Sequence, residues 1–140
     1  MTKVDFYILD SAQPGDALQY CCRLAEKALK KGLGIYIHCS SEQQASELDN
    51  LLWSFSPESF VPHELKSARA KANVVIGSDA TAPEAVELLI NLAAEIPDFF
   101  SRFQRVGEIV CQDESWLQPS RNRYRFYKDR GYPLKTHKIS

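Results

Sequence analysis

Between residues 4 and 53 short, nearly continuous apolar runs take turns with longer stretches whose apolar residues fall at helical spacing. Val4-Asp5-Phe6-Tyr7-Ile8-Leu9 is a short run rich in aliphatic and aromatic residues that ends at Asp10-Ser11, the pattern of a buried strand. Gln13-Pro14-Gly15-Asp16 is a turn, and Asp16 can cap a helix that runs to Lys31. Along it Leu18, Cys21, Cys22, Ala25, Ala28 and Leu29 fall at i, i+3, i+4 spacing, an inward stripe. Lys30 and Lys31 put cations on the negative pole, and Gly32 is the stop. Gly34–Cys39 is a second strand. Ser40-Ser41 with Glu42 then opens a helix through Trp53, with Ala45, Leu48, Leu52 and Trp53 inward. Strand, helix, strand, helix with short turns predicts an α/β domain on a mostly parallel sheet, its crossovers right-handed.

The second half is less regular. Ser54–Leu65 contains Pro57 and Pro62 and reads as a loop, although Ser59-Phe60-Val61-Pro62-His63 is unusually apolar for one. Lys66–Ala72 reads as a basic connector and Asn73–Gly77 as a third strand. Pro83–Ala94 fits both periods. Val86, Leu88, Ile90 and Leu92 alternate, while Val86, Leu89, Ile90 and Ala93 have helical spacing; strand is the favoured reading. Pro97–Gln104 is a short helix with Phe99, Phe100 and Phe103 inward, and Glu108–Cys111 a further strand. Asp113 or Ser115 starts a terminal helix in which Pro119 must lie near the first turn or break it. Gly131 ends that helix, and Pro133 follows as a stop. Residues 1–134 are expected to form one domain, with 135–140 a frayed tail.

The net charge of −1 conceals an asymmetry. From Arg121 to Ser140 seven Lys/Arg oppose the single acid Asp129, giving +6, so residues 1–120 carry −7. Such a chain is poorly suited to wrapping DNA over its whole surface and well suited to one localised anionic partner. The first residues, Met-Thr-Lys-Val-Asp-Phe, lack the apolar core of a secretory signal. No apolar run approaches the roughly 18 residues of a membrane span. A cytoplasmic protein with reduced cysteines is expected.

Most chemistries find no support in the residue spacings. The phosphate loop GxxxxGK[ST] is absent, and Gly32-Leu33-Gly34 precedes a strand where a dinucleotide fingerprint must follow one. Cys39 follows His38 directly, and neighbouring strand residues point to opposite faces. Cys21, Cys22, Cys39 and Cys111 read as packed thiols. No CxxC or HxxxH pair offers a metal site, and His38, His63 and His137 are isolated. No cofactor is expected. Trp53 and Trp116 read as core.

One stretch stands apart. Arg121-Asn-Arg-Tyr-Arg-Phe-Tyr-Lys-Asp-Arg-Gly-Tyr132 alternates bases with aromatics. As a helix it lets Arg121, Tyr124, Arg125, Tyr127 and Lys128 share one broad face. Guanidinium forks beside tyrosine rings can hold a carboxylate or phosphate while an apolar group lies against the ring. A solvated helix whose tyrosines pack on the core has the same spacing, and both readings stay open. Phe60, in its Pro-bounded loop, is the other residue that does not look like plain core.

Four segments in order, Phe6-Tyr7-Ile8-Leu9-Asp10, Leu48-Asp49-x-x-Leu52-Trp53, Ser59–His63 and Arg121-x-Arg-Tyr-x-x-Tyr-Lys-x-x-Gly, make the chain resemble the chi subunit family of bacterial DNA polymerase III over nearly its whole length. The resemblance implies a Rossmann-like, mononucleotide-binding-type α/β sheet without the nucleotide site. It further implies a non-enzymatic replication subunit with two partners. One is the psi subunit, which joins chi to the clamp loader. The other is the acidic C-terminal tail of single-stranded DNA-binding protein, which ends in Pro-Phe with a free carboxylate. Carried over residue by residue, Arg121 would meet tail acids or the terminal carboxylate and Tyr124 would flank the terminal Phe. Arg125 stands where lysine is familiar. Val110 and Phe60 would line the same apolar pocket, with Tyr127 and Lys128 extending the face. The psi contacts are not placed by the resemblance; Pro97–Gln104 is either that interface or simple core. The rival to this reading is a degenerate nucleotide-binding protein or enzyme.

Overall fold

A computed structural model describes residues 1–67, 72–81 and 87–140. In chain order they form β1 (Lys3–Leu9), α1 (Pro14–Lys30), β2 (Ile35–His38), α2 (Glu42–Ser54), β3 (His63–Leu65), β4 (Val74–Gly77) and β5 (Leu88–Asn91). A 3-10 turn (Asp98–Arg102), β6 (Arg105–Val110), α3 (Glu114–Asp129) and β7 (Leu134–Ile139) follow. The seven strands make one sheet in the order β3-β4-β2-β5-β6-β1-β7, every pair parallel. The α/β class expected from the strand–helix order, and the Rossmann-like open sheet that the resemblance implies, are what the structure shows.

Strand alternation divides the interior in two. On one face Leu9, Ile35, Ile37, Ile90 and Ile109 meet the α1 stripe Ala17, Cys21, Cys22, Ala25 and Ala28, together with Leu48 and Leu52 of α2. On the other, Val4, Phe6, Tyr36, Leu89, Val106 and Val110 meet Phe99, Phe100, Phe103 and Tyr127. Phe99, Phe100 and Phe103 of the turn after β5 are thus core residues, as one of the two readings of Pro97–Gln104 has them. Leu88–Asn91 is strand, as favoured; residues 83–86 of that stretch, and 68–71 of the expected connector, lie outside the described residues.

The helix boundaries follow recognisable chemistry. Ser41 caps α2 by accepting from the Gln44 N–H at 3.1 Å, and Asp113 caps α3 by accepting from that of Ser115. Asp16 is not the cap of α1. It lies in the first turn behind Pro14, where Ser11 Oγ donates to it at 2.6 Å. Gly32 and Gly131, at φ +79° and +76°, take the left-handed conformation just past α1 and α3.

Three expectations are corrected. Residues 135–140 do not fray as a unit: Leu134–Ile139 is the strand β7, paired with β1 from Val4↔Leu134 to Leu9↔Ile139. Asp5 fastens it by accepting from His137 Nε2 at 3.0 Å, and the His137 ring stacks on Tyr7 at 4.9 Å. Pro119 neither lies in the first turn nor breaks α3; it sits in the second turn and the helix continues. Only the bond that its missing N–H would give Ser115 is lost. Trp53 is not core. It lies one residue, about 100° of helix, beyond Leu52, which carries it out of the buried stripe to 53% exposure. The loop Ser54–Leu65 also ends in a strand, β3, too short and polar to show a period.

Candidate functional site

The terminal helix has two chemically distinct faces. Ser120, Arg123 and Tyr127 fall at i, i+3, i+7 and are buried. They meet Glu108, which β6 holds fully buried on the same side of the sheet. The Glu108 carboxylate accepts from Arg123 Nε at 2.9 Å, Tyr127 Oη at 2.8 Å and Asn91 Nδ2 at 3.1 Å. Arg123 Nη1 also donates to the Ala94 carbonyl at 2.9 Å. Burial pushes the Glu108 pKa up, and the guanidinium and its three donors pull it back. The Tyr127 hydroxyl is driven up by burial and by the neighbouring carboxylate, so it stays a donor. α3 is thereby locked in register on β5 and β6.

The outward face forms one wall of a cleft of about 630 Å³ between α3 and the sheet. Its floor is Phe6 and Ile8 of β1 with Val110 at the end of β6, and Leu117 and Tyr124 close the apolar slot. The Tyr124 ring packs edge-on against Phe6 at 5.2 Å. Arg121, Arg125 and Lys128 stand exposed along the rim, with Asp129 as the acid beside them. An apolar slot rimmed by three cations and one acid fits an anionic ligand that carries one large apolar group.

Of the residues named from the sequence, Val110, Arg121, Tyr124, Arg125 and Lys128 come together here. Two do not. Tyr127 points inward to Glu108 and is fully buried, because the 60° that separates it from Tyr124 around the helix carries it to the side that the sheet covers. Phe60 belongs to the far edge, ahead of β3, where it lies 71% exposed with its ring 5.8 Å from Trp53. Sequence reasoning missed Phe6, Ile8 and Leu117. The alternation of β1 puts Phe6 and Ile8 on one face, but nothing local says that α3 crosses that face.

The four cysteines are free and buried. Burial pushes the Cys22 and Cys39 thiols up to about 12 and raises Cys21 and Cys111 as well. Among the described residues no group of three or more His, Cys, Asp or Glu could hold a metal ion, and no helix is long and apolar enough to cross a membrane.

Comparison with known proteins extends the sequence signal. Residues 1–135 match the model of the family described as DNA polymerase III chi subunit, HolC. A DNA polymerase III subunit chi of Pseudomonas aeruginosa is 46% identical over 139 residues, covering 99% of this chain and 98% of the relative. The subunits chi of Escherichia coli K12 and Haemophilus influenzae are 34% and 32% identical, covering 97% and 96% of the chain and 97% and 95% of themselves. Among solved structures, T4 UvsW matches at TM-score 0.70 with 8% identity, over 99% of this chain and 41% of that one. The Mss116p DEAD-box helicase domain 2 bound to an RNA duplex matches at 0.64 with 12% identity, over 97% and 64%. At those identities the likeness is one of fold alone. The family match and the three relatives span nearly the whole chain, which therefore belongs to the DNA polymerase III chi subunit family.

Proposed function

We propose that this chi-family chain is a non-catalytic accessory subunit of replication whose α3 cleft captures the acidic C-terminal tail of single-stranded DNA-binding protein. The single observation that carries the reading is the cleft itself. Apolar Phe6, Ile8, Val110, Leu117 and Tyr124 share one cleft of about 630 Å³ with the cations Arg121, Arg125 and Lys128. A terminal Phe would enter between Val110, Phe6 and Tyr124, and its carboxylate would meet the guanidinium forks. The +6 segment attracts the acidic residues behind it. One such contact is expected to be roughly micromolar. Several tails on an oligomeric partner would raise the avidity.

The far edge of the sheet supports a second contact. Trp53, Phe60 and Leu65 are large apolar side chains exposed at 53%, 71% and 44%. They surround β3, at the other end of the strand order from the cleft. Exposed aromatics grouped in this way are suited to burial against a partner. This is where the psi subunit would dock, leaving the cleft free and linking the captured tail to the clamp loader. Phe60 thus moves from the tail pocket, where the sequence reading had it, to this second surface.

Titration with a fluorescent acidic peptide ending in Pro-Phe, beside one lacking the Phe, tests the tail reading. Binding should require the Phe, weaken with salt, and be lost in Arg121→Ala and Tyr124→Ala variants of unchanged circular dichroism. Unchanged affinity in both variants would sink the proposed site. Trp53→Ala and Phe60→Ala should keep peptide affinity and lose co-purification with psi.

A further inference from the structure

The cleft has a second bank, and it comes from the strand at the very end of the chain. β7 lies beside β1 in parallel register, with Thr136 next to Phe6 and Lys138 next to Ile8. Residues side by side in neighbouring strands point to the same face of a sheet. Phe6 and Ile8 face α3: one packs on Tyr124 and both line the cleft. Thr136 and Lys138 therefore stand on the α3 face, one strand, about 4.8 Å, outboard of the cleft floor. The neighbours of β7 bear out the alternation. Leu134, paired with Val4, packs into the core on the α3 side, while Ile139 packs into the core on the α1 side. Lys135 pairs with Asp5 and belongs to the opposite face. Thr136 and Lys138 are both exposed.

We infer that Lys138, with the Thr136 hydroxyl beside it, forms the outer bank of the cleft and takes the acidic residues that precede the apolar end of the bound peptide. The inference rests on the tail-capture reading above and adds to it a residue that sets the preference for acid before the terminal aromatic. Charge complementarity commits the occupant. Arg121, Arg125 and Lys128 line the helix bank and Lys138 the strand bank, so a peptide entering across the free edge of β7 passes between cations. An extended chain advances about 3.3 Å per residue. In a peptide running across the strands, the residue two places before a Phe seated over Ile8 and Val110 lies over β7, and the next ones lie at its outer edge.

Two peptides ending in Pro-Phe separate this contact from the rest, one with acidic residues upstream and one with the same positions changed to Asn and Gln. Each is titrated against the full chain and against Lys138→Ala, Lys138→Glu and Lys138→Arg. Lys138→Ala should weaken the acidic peptide roughly threefold, as an exposed ion pair does. Lys138→Glu should weaken it further and Lys138→Arg should restore it. The neutral peptide should bind all four proteins alike. Equal losses on both peptides, or none on either, would overturn the role of Lys138 while leaving tail capture standing. Failure of the unmodified chain to bind either peptide would overturn tail capture and this inference with it.

Discussion

Removing one member of the buried Glu108–Arg123 pair should cost far more than removing both. Glu108 is fully buried and Arg123 is 5% exposed. Among the described residues, Glu108→Leu leaves the guanidinium with the Ala94 carbonyl alone, strips Tyr127 of its acceptor and leaves Asn91 Nδ2 with the Glu95 carbonyl at 3.3 Å. An uncompensated buried charge of this kind costs about 3–5 kcal/mol, a large part of the roughly 5–15 kcal/mol that holds a domain folded. For a chain of this size that lowers Tm by roughly 10–15 °C. Arg123→Met strands the carboxylate instead and should cost a similar amount. In the double variant no charge remains buried. Two neutral donors lose one acceptor, for about 1–3 kcal/mol. The singles should therefore exceed the double, with a coupling energy of at least about 2 kcal/mol. Urea unfolding followed by far-UV circular dichroism at pH 7 reads all four corners of the cycle. Singles that each cost under about 1 kcal/mol, or a double equal to their sum, would refute the claim that this pair is what holds α3 in register.

Further outcomes follow from other parts of the structure. Gly77→Ala should destabilise by roughly 1–3 kcal/mol, because a Cβ there would stand 2.4 Å from the Tyr36 hydroxyl; Tyr36→Phe in the same background should recover part of it in the same urea assay. Burial lowers the His38 pKa below 6.5; the nearby Lys66 lowers it too, and Asp79 opposes them. Below pH 6.5 the unfolded chain then binds more protons than the folded one, so stability should fall as pH drops beneath that value and stay flat above it. His38→Phe should flatten that slope, and an unchanged slope would remove His38 as its source. The four buried thiols should resist a disulfide reagent at pH 8 until denaturant is added, because their raised pKa values leave almost no thiolate; rapid labelling of the native chain would contradict their burial.

What could be read from the sequence was whatever its local period reports. α1 and α2 each bury a stripe whose spacing matches a helix, β1 and β2 read as short apolar runs, and their order with short turns implies a parallel sheet. β7 was missed because its Lys and Thr residues alternate with so little apolar weight that the pattern reads as a tail. A strand at the edge of a sheet needs few apolar residues, and lysines there discourage pairing with a further chain. It is held instead by β1, and above all by Asp5 and Tyr7 meeting His137, partners more than 120 residues away that no local window contains. Phe60 failed for the opposite reason: its exposure was legible, but which edge of the sheet its loop would reach was not, since strand order is decided by long-range pairing.

The terminal helix shows how both limits meet in one element. Arg121, Tyr124, Arg125, Tyr127 and Lys128 fall within eight residues, and their spacing alone allows one broad face. What divides them is Glu108, a carboxylate in the middle of an apolar strand that must find donors or lie unpaired. Arg123 and Tyr127 are four apart and satisfy it together, so they fix the rotation of the helix about its axis. Once that rotation is set, Tyr124 must lie over Phe6, and Arg121, Arg125 and Lys128 must rim the slot. The buried ion pair and the exposed cations are thus one device, and a change at Glu108 should be felt in the cleft even though it touches no ligand there.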